Sequence, residues 1–173
     1  MTRREKLLLL ALAVCLLTGC RSKARHTEPG RVYEAEYGFS IIPPEGWTRA
    51  DNPPAGDFLT YGGPIEGAFR VNLTVNVNPH TGTPKEALPG IEQQSATFFS
   101  AYELKDKGLL TIDGRDALYL SSGFDMPIAR LQNLQYAIFT GQKVYTITFT
   151  ASPATFERYR PVFEKSGLSA RVD

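Results

Sequence analysis

Residues 16–25 read LLTGCRSKAR, where an apolar run stops at a cysteine and a basic stretch begins at once. A thiol in that position can pack as a small apolar side chain, pair in a disulfide or be covalently modified. The only other cysteine is Cys15, five residues away in the same apolar run and a poor disulfide partner. Other reactive residue types are sparse. Of the two histidines, His26 lies in a polar stretch and His80 in the segment NPHTGTP. A serine such as Ser95 or Ser121 would have to serve His80 as nucleophile, and no G-x-S-x-G elbow presents one. No H-E-x-x-H or paired-cysteine spacing offers a metal site. The window GGPIEG at 62–67 has the glycines of a phosphate loop but lacks the following Lys-Ser/Thr and precedes a strand pattern, so it reads as a flexible hairpin loop. Asp113 and Asp116 flank a turn, while Asp57 and Glu66 lie in loops, and their spacing suggests no acid and base pair. The sequence therefore predicts no catalytic residue, no metal ligand and no cofactor, and a protein that is not an enzyme.

Chemistry at Cys20 depends on what precedes it. Arg3, Arg4 and Lys6 are followed by an unbroken apolar run over 7–17, the layout of a secretory signal. A membrane-spanning helix takes about 20 apolar residues, so this run is too short to span. No A-x-A cleavage site stands at its end. Leu17-Thr18-Gly19-Cys20 stands there instead, and it resembles the lipobox of bacterial lipoproteins: an aliphatic residue, a small residue, Gly or Ala, then Cys. The resemblance implies cleavage between Gly19 and Cys20, a diacylglycerol thioether on Cys20 and acylation of the new amino group. Two or three chains, at about 0.8 kcal/mol per buried methylene, hold a protein firmly on a bilayer. The expected partner is thus the membrane, reached through acyl chains on Cys20. The expected location is the cell envelope, facing the periplasm. Arg21 is not the Asp that retains some lipoproteins at the inner membrane, which favours the outer membrane in an enterobacterial-type sorting system.

Charge adds an exclusion. The full chain carries a formal +1; residues 1–19 take away three positive charges and one negative, leaving about −1 on the mature protein. No basic excess marks a nucleic-acid footprint.

The predicted domain plan is a cleaved signal over 1–19, a lipidated N-terminus and flexible tether over 20–31, and a single globular domain over 32–173. RSKARHTEPGR is polar, aperiodic and broken by Pro29 and Gly30, as a short tether should be. Beyond it, FRVNLTVNV at 69–77 alternates Phe, Val, Leu, Val, Val against Arg, Asn, Thr, Asn, a strand signal of period two. VYTITFT at 144–150 repeats it with Thr146, Thr148 and Thr150 on the polar side. Asp113-Gly114 is a favoured hairpin pair between apolar runs, and 140–143 is a second turn between strands. Shorter strands are predicted over 33–36, 39–42 and 58–61 and near the C-terminus.

Two helices fit between them. Thr83-Pro84-Lys85-Glu86 has the residues of a capping box with Pro at the first helical position, followed by a stripe of Ile91, Ser95, Phe98, Phe99 and Tyr102. The second opens at Ser152-Pro153 and carries Phe156, Tyr159 and Phe163. Pro89 and Pro161 should kink or restart these helices. Hairpins and amphipathic helices in this order predict an α+β fold: a mainly antiparallel β-sheet flanked by helices on its faces, an α/β/α sandwich.

The segments YGFSIIPPEGWTRAD (37–51), VNLTVNV, TIDGRDALYL and YTITFTASPATFERYRPVFEKSGLS occur in that order. Together they resemble the PsbP-like superfamily, especially its DcrB-like bacterial lipoproteins, over about 32–172. The resemblance implies a PsbP-like sheet with helices on both sides and proteins that bind larger assemblies rather than a shared catalytic centre.

Two surfaces could serve such binding. The side chains of Asn72, Thr74 and Asn76, and those of Thr146, Thr148 and Thr150, make polar faces without charge. The region 43–67 carries Trp47, Arg49, Phe58 and Tyr61, the residue types of interface anchors, as candidate partner contacts. The expectation is a lipid-anchored envelope protein acting as a noncatalytic interaction or accessory module for an envelope protein partner. The alternative is a carrier of a small ligand or lipid, or a cryptic hydrolase, using a cleft between sheet and helices.

Overall fold

The computed structural model describes residues 27–173. Cys20 and the lipobox therefore lie outside the described residues. Ten strands and two helices follow in the order β1 (Val32–Glu34), β2 (Phe39–Ile41), β3 (Thr48–Arg49), β4 (Asp57–Glu66), β5 (Phe69–Pro79), α1 (Pro84–Phe98), β6 (Ser100–Ile112), β7 (Arg115–Met126), β8 (Ala129–Phe139), β9 (Lys143–Ala151), α2 (Pro153–Leu168) and β10 (Arg171–Val172). Seven strands form one sheet, ordered β3-β4-β5-β9-β8-β7-β6, and β1, β2 and β10 form a small second sheet. Every pairing is antiparallel. The fold is the α+β sandwich that the patterning predicts.

Local rules place most of this. At the β6–β7 hairpin, Asp113 and Gly114 take φ of 53° and 73°, the left-handed pair that a two-residue turn requires and that Asp-Gly tolerates. The apolar side of β5 and β9 is sealed: Val71, Leu73, Val75, Ile147 and Phe149 have no exposure. Phe156 and Phe163 of α2 pack on that side, with Phe163 stacked on Phe149 at 5.0 Å between ring centres. The opposite face carries a smaller cluster, Leu118, Leu120, Ala137 and Phe139, under Ala87, Leu88 and Ile91 of α1. One helix thus covers each face of the large sheet.

Several local expectations are corrected. The window GGPIEG is no loop: residues 62–66 belong to β4, with a register shift between Gly62 and Ile65, and the turn falls on Gly67 and Ala68. Trp47 lies across Gly63, where a Cβ would stand 2.5 Å from Trp47 Cε2, so this strand position has room for glycine alone. The α1 stripe does not reach Tyr102. The helix stops at Phe98, Phe99 is its C-cap, and Ala101 takes φ of 49°, which no helix continues through. Tyr102 lies in β6, and Phe98 is 75% exposed rather than core. Pro89 and Pro161 lie inside unbroken helices. Both sit on exposed positions, where water can satisfy the carbonyl each proline leaves without a donor.

Candidate functional site

A cleft of about 970 Å³ lies between α1 and the sheet. The capping box that the sequence predicts positions its helical wall. Glu86 N–H donates to Thr83 Oγ1 at 3.3 Å, and Glu86 Oε2 accepts from Thr83 N–H at 2.9 Å. The Thr83 backbone and hydroxyl hydrogen bonds hold the Glu86 carboxyl below its ordinary pKa. This helix is seated thinly, because Pro84 is its only buried residue.

The cleft floor has two zones. Directly under α1 lie Leu118, Leu120, Ala137 and Phe139, at most 6% exposed, so the helix already covers most of this apolar strip. Beyond it the floor turns polar at Gln135 and Thr146 and continues onto a shelf. The two alternating strands that the sequence shows separately are neighbours here, with Thr74 opposite Thr148 and Asn76 opposite Thr146. Thr60 of β4 extends the row, paired with Thr74. Amide and hydroxyl bonds fix the shelf: Gln135 Nε2 donates to Thr148 Oγ1 at 3.1 Å, and Asn78 Nδ2 to Asn76 Oδ1 at 3.1 Å. Asp57 marks its margin, where burial pushes the carboxyl pKa up against the opposing bond from Asn76 Nδ2.

Two polar atoms of this region lack partners. His80, in the cleft wall, has a buried Nε2 without a hydrogen bond, and Thr60 has a buried Oγ1 in the same state. The His80 ring meets Phe139 edge-on at 5.1 Å.

Other sequence candidates are dispersed. Ser95 lines the same cleft as His80, but it lies nine residues beyond Glu86, roughly 13 Å along the helix axis at 1.5 Å per residue. Ser121 is buried and accepts from Gln132 Nε2 at 3.4 Å on the α2 side of the sheet. Among the described residues, no group of three or more His, Cys, Asp or Glu is placed to hold a metal ion. Trp47 meets Phe163 edge-on at 6.1 Å, Phe58 stacks on Tyr37 at 4.1 Å, and Tyr61 is 7% exposed. Arg49 is exposed and pairs with Glu34 at 2.7 Å. The rings of Trp47, Phe58 and Tyr61 thus pack with or against the main core, while the exposed Arg49 is the cross-strand partner of Tyr61. Sequence reasoning missed Gln135 and, on α1, Gln93 and Gln94. The signal for the two helix residues was the polar run EQQS in a helix otherwise expected to be a core face.

No protein-family model matches the sequence, and neither does any curated protein. Solved structures do match in fold. Cyanobacterial PsbP (CyanoP) from Synechocystis sp. PCC 6803 superposes with a TM-score of 0.64 at 16% identity, over 83% of this chain and 91% of that one. LpqN, described as involved in cell envelope biogenesis of Mycobacterium tuberculosis, superposes with a TM-score of 0.62 at 13% identity, over 85% and 87%. PA94 from Pseudomonas aeruginosa, a protein of unknown function, gives 0.55 at 15% identity, over 78% and 90%. At such identities the likeness is one of fold, and the fold is PsbP-like. Among the described residues no helix is long and apolar enough to cross a membrane, which says nothing of a β-barrel.

Proposed function

We infer that the chain is a lipid-anchored bacterial envelope protein, DcrB-like in plan, whose PsbP-like domain is a noncatalytic accessory module facing the periplasm. The observation that carries this reading is the tetrapeptide Leu17-Thr18-Gly19-Cys20 at the end of a short apolar run, directly before a polar segment and one folded domain. The fold shared with LpqN, an envelope-biogenesis protein, supports it.

Arg31 Nη1 donates to Ser169 O at 2.8 Å and to Ser40 Oγ at 3.1 Å, and Glu28 accepts from both Arg31 and Arg171. Residues 28–31, read from the sequence as tether, are thus bonded to the domain. The segment between Cys20 and the domain is short on this reading, roughly 15 Å by random-coil scaling. On this reading the domain works close to the membrane surface, within reach of an envelope partner.

Fatty-acid labelling and membrane fractionation of Cys20→Ala test the anchor. The reading expects label and membrane association in the wild type and loss of both in the variant; label retained by the variant overturns it. Crosslinking in the native cell, followed by mass spectrometry, tests the accessory role. One dominant envelope partner that disappears with the anchor is expected, and an empty result in both strains overturns it.

A further inference from the structure

We propose that the cleft and its Asn/Thr shelf form a binding site for a neutral carbohydrate chain of a few sugar units. This inference stands apart from the lipid anchor and needs only the geometry of the domain. A volume of about 970 Å³ is that of a small-molecule site, and the chemistry of its walls narrows the occupant by elimination.

An anion finds no counter-charge there, and for a cation the shelf-margin Asp57 is already bonded to Asn76. Among the described residues lining the cleft there is no Lys or Arg, and the charged one, Glu86, is committed to Thr83. An anion would leave water without compensation, which is costly. An acyl chain needs an open hydrocarbon trough, but the apolar strip is already roofed by α1, with Leu118 at 0% and Leu120 at 3% exposure. An extended peptide would bind most strongly by adding to a sheet edge. The shelf is instead a sheet face, flanked on both sides by paired strands, with β5 between β4 and β9. It presents side-chain groups and no row of free backbone amides.

What remains is a partner that both donates and accepts at each position and carries no charge. Asn and Gln amides and Thr hydroxyls also offer both donor and acceptor functions, so Thr74, Asn76, Thr146, Thr148 and Gln135 match an array of sugar hydroxyls. Sugar rings also have an apolar face, and Phe98, 75% exposed at the end of α1 and part of the cleft lining, is placed to stack against one.

The test uses the purified full chain in a detergent without a sugar headgroup, screened on a glycan array and then titrated by calorimetry. The probes are maltohexaose, cellohexaose and N-acetylchitohexaose as neutral chains, a heparin hexasaccharide as the acidic control and an extended peptide library. The expected result is binding of at least one neutral chain with an affinity unchanged by added salt. The paired substitution Thr74→Val and Thr146→Val keeps shape and strand propensity and removes two hydroxyls. It should weaken binding by roughly tenfold or more, at about 1 kcal/mol per hydrogen bond. Phe98→Ala should weaken it as well with no change in melting temperature, since the ring packs little in the fold. The proposal is overturned if no neutral chain binds, if heparin or the peptides bind in their place, or if the Thr pair and Phe98→Ala both leave affinity unchanged.

Discussion

The Glu66 carboxylate accepts a hydrogen bond from the Ser152 hydroxyl at 3.0 Å, joining the β4–β5 hairpin to the start of α2 across 86 positions of chain. Ser152 makes no side-chain cap of its own, so Glu66 supplies the anionic cap from outside the helix. The same carboxylate accepts from Thr155 and from Arg158 Nη2, the latter at 2.9 Å. A negative group at a helix N-terminus is favoured both by the exposed amides and by the helix dipole.

That contact sets a pH dependence. Burial alone pushes the Glu66 carboxyl up, but the hydrogen bonds from Thr155 and Ser152 and the Arg158 charge outweigh it and hold the group below its ordinary pKa. A lowered folded pKa means stability that is fully present above the unfolded value, near 4.3, and lost as pH falls through the folded one. Glu66→Gln should lower the melting temperature at neutral pH and show a shallower decline below about pH 4.5 than the wild type. Equal slopes in the two proteins, read by thermal melts across the acid range, would contradict this.

Close packing of α2 on the sheet gives a second prediction. A Cβ on Gly167 would lie 2.5 Å from Tyr136 Cε2 and 3.3 Å from Phe149 Cε2, both buried rings. Gly167→Ala gains helix propensity but overpacks this contact, and the net should be destabilising by about 1–3 kcal/mol in urea unfolding. A neutral or stabilised variant would mean that the rings yield.

The candidate contact residues should separate by burial. Trp47→Ala removes a ring seated between Gly63 and Phe163 and should cost about 2–3 kcal/mol, less than a fully buried Trp would. Arg49→Ala removes an exposed guanidinium but leaves the Glu34 carboxylate, 17% exposed, without its partner, and should cost about 1 kcal/mol. Parallel denaturant curves of the two variants check the contrast, which fails if Arg49→Ala costs as much as Trp47→Ala.

Thin seating of α1 predicts a local effect. Thr83→Ala removes the cap and should reduce amide protection in α1 roughly fivefold by hydrogen exchange. The melting temperature should barely move, because Pro84 is the only buried residue of that helix. A cooperative loss of protection across the large sheet would show instead that α1 is part of the global folding unit.

Much of the fold follows from short-range chemistry. Alternation over 69–77 and 144–150 fixes which side of β5 and β9 turns inward, and Asp113-Gly114 fixes a hairpin because few residue pairs accept two left-handed conformations. Thr83 and Glu86 mark a helix start three residues apart. The lipid-anchor reading likewise comes from four consecutive residues, Leu17 to Cys20, and a neighbouring apolar run.

Other features depend on residues far apart in the chain and were decided only in three dimensions. Nothing near Gly63 announces Trp47, whose ring lies where a side chain at that position would stand. Glu66 reads as a loop carboxylate until α2 is brought to it. The Asn/Thr shelf exists because β9 pairs with β5 across some seventy intervening residues, and the cleft because α1 covers only part of the face that these strands share. Periodicity and turn conformation are properties of neighbouring residues and can be read along the chain. Strand order and the choice of face for each helix are settled by which distant apolar surfaces pack best once loop closure is paid, and no local signal carries that comparison.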